Sequence, residues 1–307
     1  MKVLFVCSGN SNYNISPIIQ NQVDSLIKAG LEVDVFPVTG KGVRGYLLNI
    51  NKLRKFCKNK KYDLIHAHYY LSGIVSSLSG AKPVIVSLMG SDVYASWYSR
   101  ILIRIFARFS WKLVIVKTSD LQNKSLLRKT IIIPNGVDID VFKPAAKELS
   151  IKKVNFPKGF NIIFVSDPTR KEKNFSLAEK AVNSLNITDI HLHTLFNLPN
   201  KDLASYYNAA DLILLTSKWE GSPNVIKEAM SCNCPIVSTD VGDVKWIISD
   251  VDGCYLCSDD PEFISLQIKK CIEFQGRTNG RKRIIQLGLD SETIAKKIIE
   301  KYNTLIN

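Results

Sequence analysis

Residues 211–243 constrain this chain more than any other stretch. The apolar run 212–216 leads into Ser217-Lys-Trp-Glu220-Gly221-Ser222-Pro223-Asn224-Val225, and a second apolar run, 236–239, follows Pro235. Continuous apolar runs of this kind are expected of parallel strands covered on both faces. Between them, Ser222 is a good N-cap and Pro223 suits a first helical position, so a helix is predicted over 223–231. Asn233 suits a left-handed C-cap, and Pro235 forbids continuation. On that helix Glu228 shares a face with Asn224 and Ser231. Val225, Ile226, Ala229 and Met230 take the apolar side.

This strand–loop–helix unit has chemical content. Glu220 falls at the carboxyl end of the first strand, and Glu228 falls on the helix. The free amides of 222–225 and the helix dipole form an anion site. Amides for phosphate, one acid beside them and a second acid one turn in suit a phosphorylated, hydroxyl-rich ligand such as a nucleotide sugar. The plainer alternative is a surface helix carrying two solvated acids, the commonest fate of Glu.

The rest of the chain repeats the same alternation. Strands are expected at 2–7, 32–38, 63–66, 83–88, 112–118 and 130–133, with a polar turn at 8–12. Helices are expected at 17–29, 46–59, 70–79, 98–110 and 120–128. Residues 145–158 read as a polar linker. Strands follow at 160–166, 190–196, 212–216, 235–239 and 253–257, with helices at 174–186, 201–210, 243–248, 261–274 and 291–305. Alternating strands and helices imply right-handed crossovers and parallel sheets. The 307 residues then make two α/β, doubly wound, Rossmann-like domains facing a central cleft, over 1–148 and 149–288, with a terminal helix at 289–307. Ligands of such sheets bind beyond the carboxyl ends of the strands.

Composition narrows the classes. No run of about 18 uncharged apolar residues exists, so no spanning helix is expected. The opening Met1-Lys2-Val-Leu-Phe-Val is too short for a signal region and reads as a first strand. Seven cysteines, odd and scattered, argue for a reducing, cytoplasmic setting. Cys232-x-Cys234 and Cys254-x-x-Cys257 have conceivable zinc spacings, but each Cys adjoins an apolar strand, where it behaves as a small hydrophobe. The net charge of +13 is compatible with nucleic acid, an anionic membrane or a nucleotide substrate, and the basic residues are dispersed, with clusters at 52–61 and 98–112. Neither G-x-G-x-x-G nor a P-loop is present, which counts against dinucleotide-dependent dehydrogenases and P-loop enzymes.

Glu220 and Glu228, with Gly221-Ser-Pro-Asn-Val between them and Ala229-Met and Pro235-Ile-Val-Ser-Thr-Asp-Val-Gly242 after them, resemble the E-x7-E segment of retaining glycosyltransferases of family 4. Pro134-Asn-Gly-Val-Asp, followed by Phe142, resembles the segment that closes the first domain in that family, whose terminal helix crosses back to that domain. The resemblance implies the GT-B fold and a donor site with Glu228 on ribose hydroxyls. It also implies that the amides after Gly221 and the Lys173 ammonium hold the diphosphate, with Glu220 at the donor sugar. No metal and no cofactor beyond the nucleotide sugar are implied, a UDP-sugar ranking ahead of a GDP-sugar. Lys173 falls at the family's lysine. The family's arginine position is Pro168, so Arg170 is a shifted substitute, and a solvated charged loop is the alternative for both cations. Gly9 stands where the family has a glycine-rich loop. His66-Ala-His68 resembles a cleft-lining H-x-H segment, with His68 joining Glu220 as catalytic, although buried, hydrogen-bonded histidines are an equal alternative. Met89-Gly90-Ser91-Asp92 stands where the family has His-Gly-x-Asp lining the cleft. Met89 is the chief departure, since it cannot donate a strong hydrogen bond or shuttle a proton. Asp92 has a helix N-cap as its alternative. Asp138-x-Asp140 reads as structural.

Arg100, Arg104 and Arg108 recur at i, i+4 and i+8. They mark either a crossover helix with a solvated basic face or a segment, 98–112, lying on anionic lipid. The reading is a retaining, metal-independent glycosyltransferase moving a hexose or N-acetylhexosamine to a hydroxyl of a lipid-linked or polysaccharide precursor. Its setting would be the cytoplasm or the inner membrane face, with no nucleic-acid partner. The alternatives are a nucleotide-sugar epimerase on the same fold and a binding protein with an impaired donor site.

Overall fold

The computed structural model describes residues 1–10, 14–94, 97–127 and 129–306, with backbone alone for Ser91 and Tyr94. Ser11 and Asn12 of the expected turn, and Arg128 of the expected helix 120–128, lie outside these residues. The chain divides into two compact units, one of residues 1–136 and 291–307, the other of residues 137–290.

In the first unit the strands are β1 (Lys2–Ser8), β2 (Glu32–Val38), β3 (Leu64–His68), β4 (Val84–Ser87), β5 (Trp111–Val116) and β6 (Thr130–Ile132). They form one parallel sheet in the order β2-β1-β3-β4-β5-β6. Alternate residues of each strand feed two cores. Leu4, Val6, Ile65 and Ala67 join one, and Val3, Phe5, Cys7 and Leu64 join the other, which also receives Ile294, Ile298 and Tyr302 of helix Ser291–Ile306. Two-sided burial is why central strands such as β1 and β4 read as apolar runs, whereas the edge strand β2 carries Glu32 and Asp34.

The second unit contains β7 (Phe160–Phe164), β8 (Ile190–Thr194), β9 (Leu212–Leu215), β10 (Ile236–Thr239) and β11 (Cys254–Cys257), parallel in the order β11-β10-β9-β7-β8. Ile213 and Leu215 face one core, and Leu212 and Leu214 the other. In each sheet the winding reverses once, between β1 and β3 and between β7 and β9. Doubly wound sheets bind ligands at such reversals, beyond the carboxyl ends.

Several expectations need correction. The linker expected at 145–158 contains the helix Lys147–Val154 of the second unit, where Lys147 pairs with Asp211 and Ser150 is buried. The units part at Gly136/Val137 and Asp290/Ser291. The helix expected over 46–59 is two, Gly42–Leu47 and Ile50–Lys58. Between them the buried Asn49 side chain donates to the Thr39 carbonyl at 2.7 Å and the Gly45 carbonyl at 2.8 Å, which fixes the bend. The helix Gly280–Leu287 was not anticipated. Among the described residues, no helix is long and apolar enough to cross a membrane.

Candidate functional site

The loops after β7 and β9 meet at the second sheet's reversal. After β9, Ser217 and Glu220 turn back toward the single-turn helix Lys171–Lys173 that follows β7. Lys173 Nζ donates to Glu220 Oε1 at 2.5 Å, and the same oxygen accepts from Ser217 Oγ at 2.7 Å. The two side chains keep only 15% and 13% of their accessible surface, so solvent screens this pair far less than a surface one. The Lys218 N–H donates to the Glu172 carbonyl at 2.8 Å, and Thr239 Oγ1 donates to the Ser217 carbonyl at 2.7 Å, so three strand ends are tied together.

The helix after this loop is Asn224–Ser231, one residue later than expected. Pro223 is its cap residue, and Ser222 does not cap it. Ser222 Oγ is taken by a buried lysine and a half-buried aspartate instead. It accepts from Lys227 Nζ at 2.6 Å and donates to Asp243 Oδ2 at 2.6 Å. Gly221 stands against Gly242, which has φ +60°, and a Cβ there would lie 2.5 Å from the Gly221 carbonyl oxygen. Only glycine permits that approach. Asn224 and Val225, the first helical residues, are half-buried. Their turn carries N–H groups with no intrahelical acceptor, oriented for an anion. Asn233 is left-handed just after the helix, at φ +56°.

Glu228 is buried, and its Oε2 accepts from the Tyr207 hydroxyl at 2.8 Å. Burial pushes its carboxyl up to about 7, against the opposing Tyr207 hydrogen bond and the Lys227 ammonium. Burial likewise pushes Lys227 down and Asp243 up, while each opposes the other's shift. Lys227 and Tyr207 are fully buried. The solvated-acid alternative for Glu220 and Glu228 therefore fails. Sequence reasoning missed Lys227, Asp243 and Tyr207. The available signal was a lysine flanked by Ile226 and Glu228 in a helix of otherwise apolar inner face.

Arg170 does not join this group. Its guanidinium pairs with Glu172 at 2.5 Å and stays half exposed, because a carboxylate two residues away in its own loop reaches it first.

The first unit has a pocket of about 420 Å³ at its own reversal, lined by Ser8, Asn10, Ser16, Tyr46, His68, Tyr69 and Met89 among others. His68 is buried, its ring stacked on His66 at 4.3 Å and against Phe5 at 4.7 Å. Among the described residues neither of its ring nitrogens has a hydrogen-bond partner. Burial drives it well below the usual histidine range, with His66 and Lys117 adding to the shift, so the ring is neutral. Tyr69 holds φ +83° and ψ 140°, a strained conformation for a residue with a side chain. Its N–H donates to the Ser87 carbonyl at 3.0 Å.

His66, Gly90 and Asp92, expected to line the cleft, and Gly9, expected at the donor, are not among the residues lining this pocket. His66 is fully buried, with Nδ1 at 2.5 Å from the Tyr302 hydroxyl and Nε2 at 2.8 Å from Ser87 Oγ. Burial lowers it to about 3. Asp92 is fully buried and accepts from the Tyr70 N–H at 2.6 Å and the Met89 N–H at 2.5 Å. It thereby closes the start of helix Tyr70–Leu78, a capping role exercised on another helix than its own. Gly90 is buried beside it at φ +98°. Gly9 serves a close approach, since a Cβ would sit 2.7 Å from Pro37 Cβ.

Among the described residues no group of three or more His, Cys, Asp or Glu is placed to hold a metal. Cys232, Cys234 and Cys257 are buried, and burial raises each thiol. Asp138 Oδ1 accepts from the N–H groups of Asp140 and Val141, a turn-forming role. What the second unit offers is a carboxylate–ammonium pair, a helix start and a buried acid. The first offers hydroxyls, aromatic rings and a neutral imidazole.

Two doubly wound parallel domains with their polar residues at the sheet reversals define the GT-B class of architecture. Known proteins agree. Residues 132–273 match the family model "Glycosyl transferases group 1", and residues 7–114 match "Glycosyl transferase 4-like". The chain belongs to the family 4 type of GT-B glycosyltransferases. It is 28% identical over 212 residues to TuaC of Bacillus subtilis, a protein named for glycosyl transfer in teichuronic acid biosynthesis, covering 60% of this chain and 54% of the relative. It is 26% identical over 249 residues to the Escherichia coli UDP-Gal:α-D-GlcNAc-diphosphoundecaprenol α-1,3-galactosyltransferase, covering 66% of this chain and 64% of the relative. The match thus spans little more than half to two thirds of these proteins. In fold it is similar to sucrose-phosphate synthase from Thermosynechococcus elongatus (TM-score 0.82, 16% identity, 99% of each chain). It is also similar to Anabaena HepE in complex with UDP and glucose (TM-score 0.77, 18% identity, 99% of this chain and 100% of that one).

Proposed function

We propose that the chain transfers a hexose or N-acetylhexosamine from a nucleotide diphosphate sugar to a hydroxyl acceptor, with retention. The observation that carries this reading is the part-buried Lys173–Glu220 pair at the β7/β9 reversal, followed directly by a helix start and the buried Glu228. On this reading the diphosphate takes the Lys173 ammonium from Glu220 and rests on the amides of the first helical turn. Glu220, so released, turns to the donor sugar. Glu228, ionised, accepts from the ribose hydroxyls. The leaving diphosphate is then stabilised by a protein cation and a helix dipole, which calls for no metal ion. Neutral His68 acts as a hydrogen-bonding partner of a sugar hydroxyl in the first unit's pocket rather than as an imidazolium acid. That pocket, hydroxyl-rich and aromatic, suits a second sugar, which favours a transferase over an epimerase. The acceptor we assign is a lipid-linked or polysaccharide precursor, in keeping with the names of the two curated relatives.

The test is thermal denaturation of the purified chain with UDP, GDP, ADP and their common sugars, in EDTA. Ligands that bind only the native state raise the melting point. One nucleotide should shift it, UDP first, and Glu228→Ala should abolish the shift while the apo protein still melts cooperatively. A shift that survives Glu228→Ala removes the ribose role, and no shift with any nucleotide removes the donor site.

A further inference from the structure

We propose that the outer face of helix Trp97–Phe109 is a docking surface for an anionic lipid bilayer. Ser99 and Ile103 are the buried residues of this helix. Its opposite side exposes large apolar groups: Trp97 is 68% exposed, Tyr98 53%, Ile101 44%, Ile105 48% and Phe109 77%. At 100° per residue, Trp97, Ile101, Ile105 and Phe109 form one track along the helix. Arg100, Arg104 and Arg108, all exposed, form the adjoining track. No acidic residue occurs between 97 and 112. Arg104 Nε reaches the Ser125 carbonyl at 3.4 Å, and the Arg108 guanidinium lies 5.7 Å over the Phe109 ring, so the cations stand beside the apolar track.

The helix end adds a second observation. Phe109 borders a hollow of about 620 Å³ with Lys82 and Lys112 at its edge and Ala81, Leu305 and Ile306 in its wall. Asp63 also lines it, its carboxylate accepting the Lys2 N–H at 2.7 Å. Aromatic groups at both ends of an apolar track, flanked by guanidinium groups, fit the water–lipid boundary: the rings enter the acyl edge and the arginines meet phosphates. Five large exposed apolar groups on one helix are more than a soluble surface ordinarily shows. Nucleic acid would use the arginines and leave the isoleucines idle. This face lies wholly in the first unit and stands or falls apart from the donor site of the second.

The experiment is flotation of the full chain with phosphatidylcholine vesicles and with vesicles containing 30% phosphatidylglycerol. The chain should float with the anionic vesicles only, less so at high salt. Arg100→Gln/Arg104→Gln/Arg108→Gln, and separately Trp97→Ser/Phe109→Ser, should each weaken partitioning about tenfold or more at unchanged melting temperature. Trp97 emission should shift to the blue on binding, and Trp97→Phe should remove that shift. If a multiple variant unfolds, the Trp97→Phe emission test and single Arg→Gln variants decide instead. Failure to float at low salt, equal binding to both vesicles, wild-type partitioning by the variants, or a stripe that governs self-association instead would each overturn the proposal.

Discussion

The two units share one architecture and place their polar residues at the same topological point, yet their electrostatics differ. At the β1/β3 reversal burial leaves His66 and His68 neutral, while Asp92, raised to about 6, spends its oxygens on backbone amides and the buried Lys117 is the cation that acts on all three. At the β7/β9 reversal the charges are retained in pairs, Lys173 with Glu220 and Lys227 between Ser222 and Asp243. A winding reversal therefore supplies only a place. On the proposed reading, the unit that keeps the Lys173–Glu220 pair receives the polyanion and the unit with the neutral imidazole receives the uncharged, hydroxylated ligand. The pairs cost desolvation and are weak evidence of stability, so their retention speaks for function.

The comparison breaks most sharply at Lys227. Lys227→Met should leave the half-buried Asp243 without its cation, at a cost of about 3 kcal/mol in urea unfolding. Adding Asp243→Asn should recover a large part of that loss, and strictly additive losses would show that the pair is not coupled. Next is pH. Glu228 is protonated more readily folded than unfolded, so its contribution is intact below about 4.5 and lost as pH rises to about 7, a swing of about 3 kcal/mol. His66 is protonated less readily folded than unfolded, so its contribution is intact above about 6.5 and falls by about 2 kcal/mol on acidification to pH 5. Native-state hydrogen exchange should thus show β9 gaining protection on acidification, and β3 losing it because the loss from His66 and His68 together outweighs the opposing gain from Asp92. Slopes of the same sign in both sheets would contradict the contrast, and Glu228→Gln should flatten the β9 slope alone. Smaller is Tyr69→Gly, which relieves the φ +83° strain but removes a ring packed on Tyr46 and Tyr70, so it should lower stability by about 1–2 kcal/mol net while, on the proposed reading, impairing transfer more than donor binding. Smallest is Arg170→Ala. An exposed pair two residues apart should matter by a few tenths of a kcal/mol at most, with nucleotide affinity unchanged.

The fold was legible because two-sided burial writes itself as apolar runs, and the Glu220–Glu228 stretch because a Gly-Ser-Pro loop between two such runs has few other readings. Boundaries were less legible. The segment 145–158 is polar enough to pass for a linker, yet it forms a helix tied down by the Lys147–Asp211 pair, a long-range contact that composition does not register. Ser222 looked like a cap because capping is its commonest local use, whereas its hydroxyl bridges Lys227 and Asp243. His66 and Asp92 stand at motif positions but face inward. Alternation showed that His66 and His68 share a side of the strand, and could not show that Tyr302, 236 residues away, would take His66.

That tyrosine has a consequence for the order in which the chain matures. The first unit cannot close its core from residues 1–136, because Ile294, Ile298 and Tyr302 belong to it. A ribosome adding about 5–20 residues each second reaches them roughly ten to thirty seconds after Gly136. Throughout that interval the nascent first sheet has one flank only partly covered, by Ile19, Val23 and Leu26, and a histidine awaiting its hydroxyl, while the second unit, contiguous in sequence, emerges entire. The half made first is the half finished last.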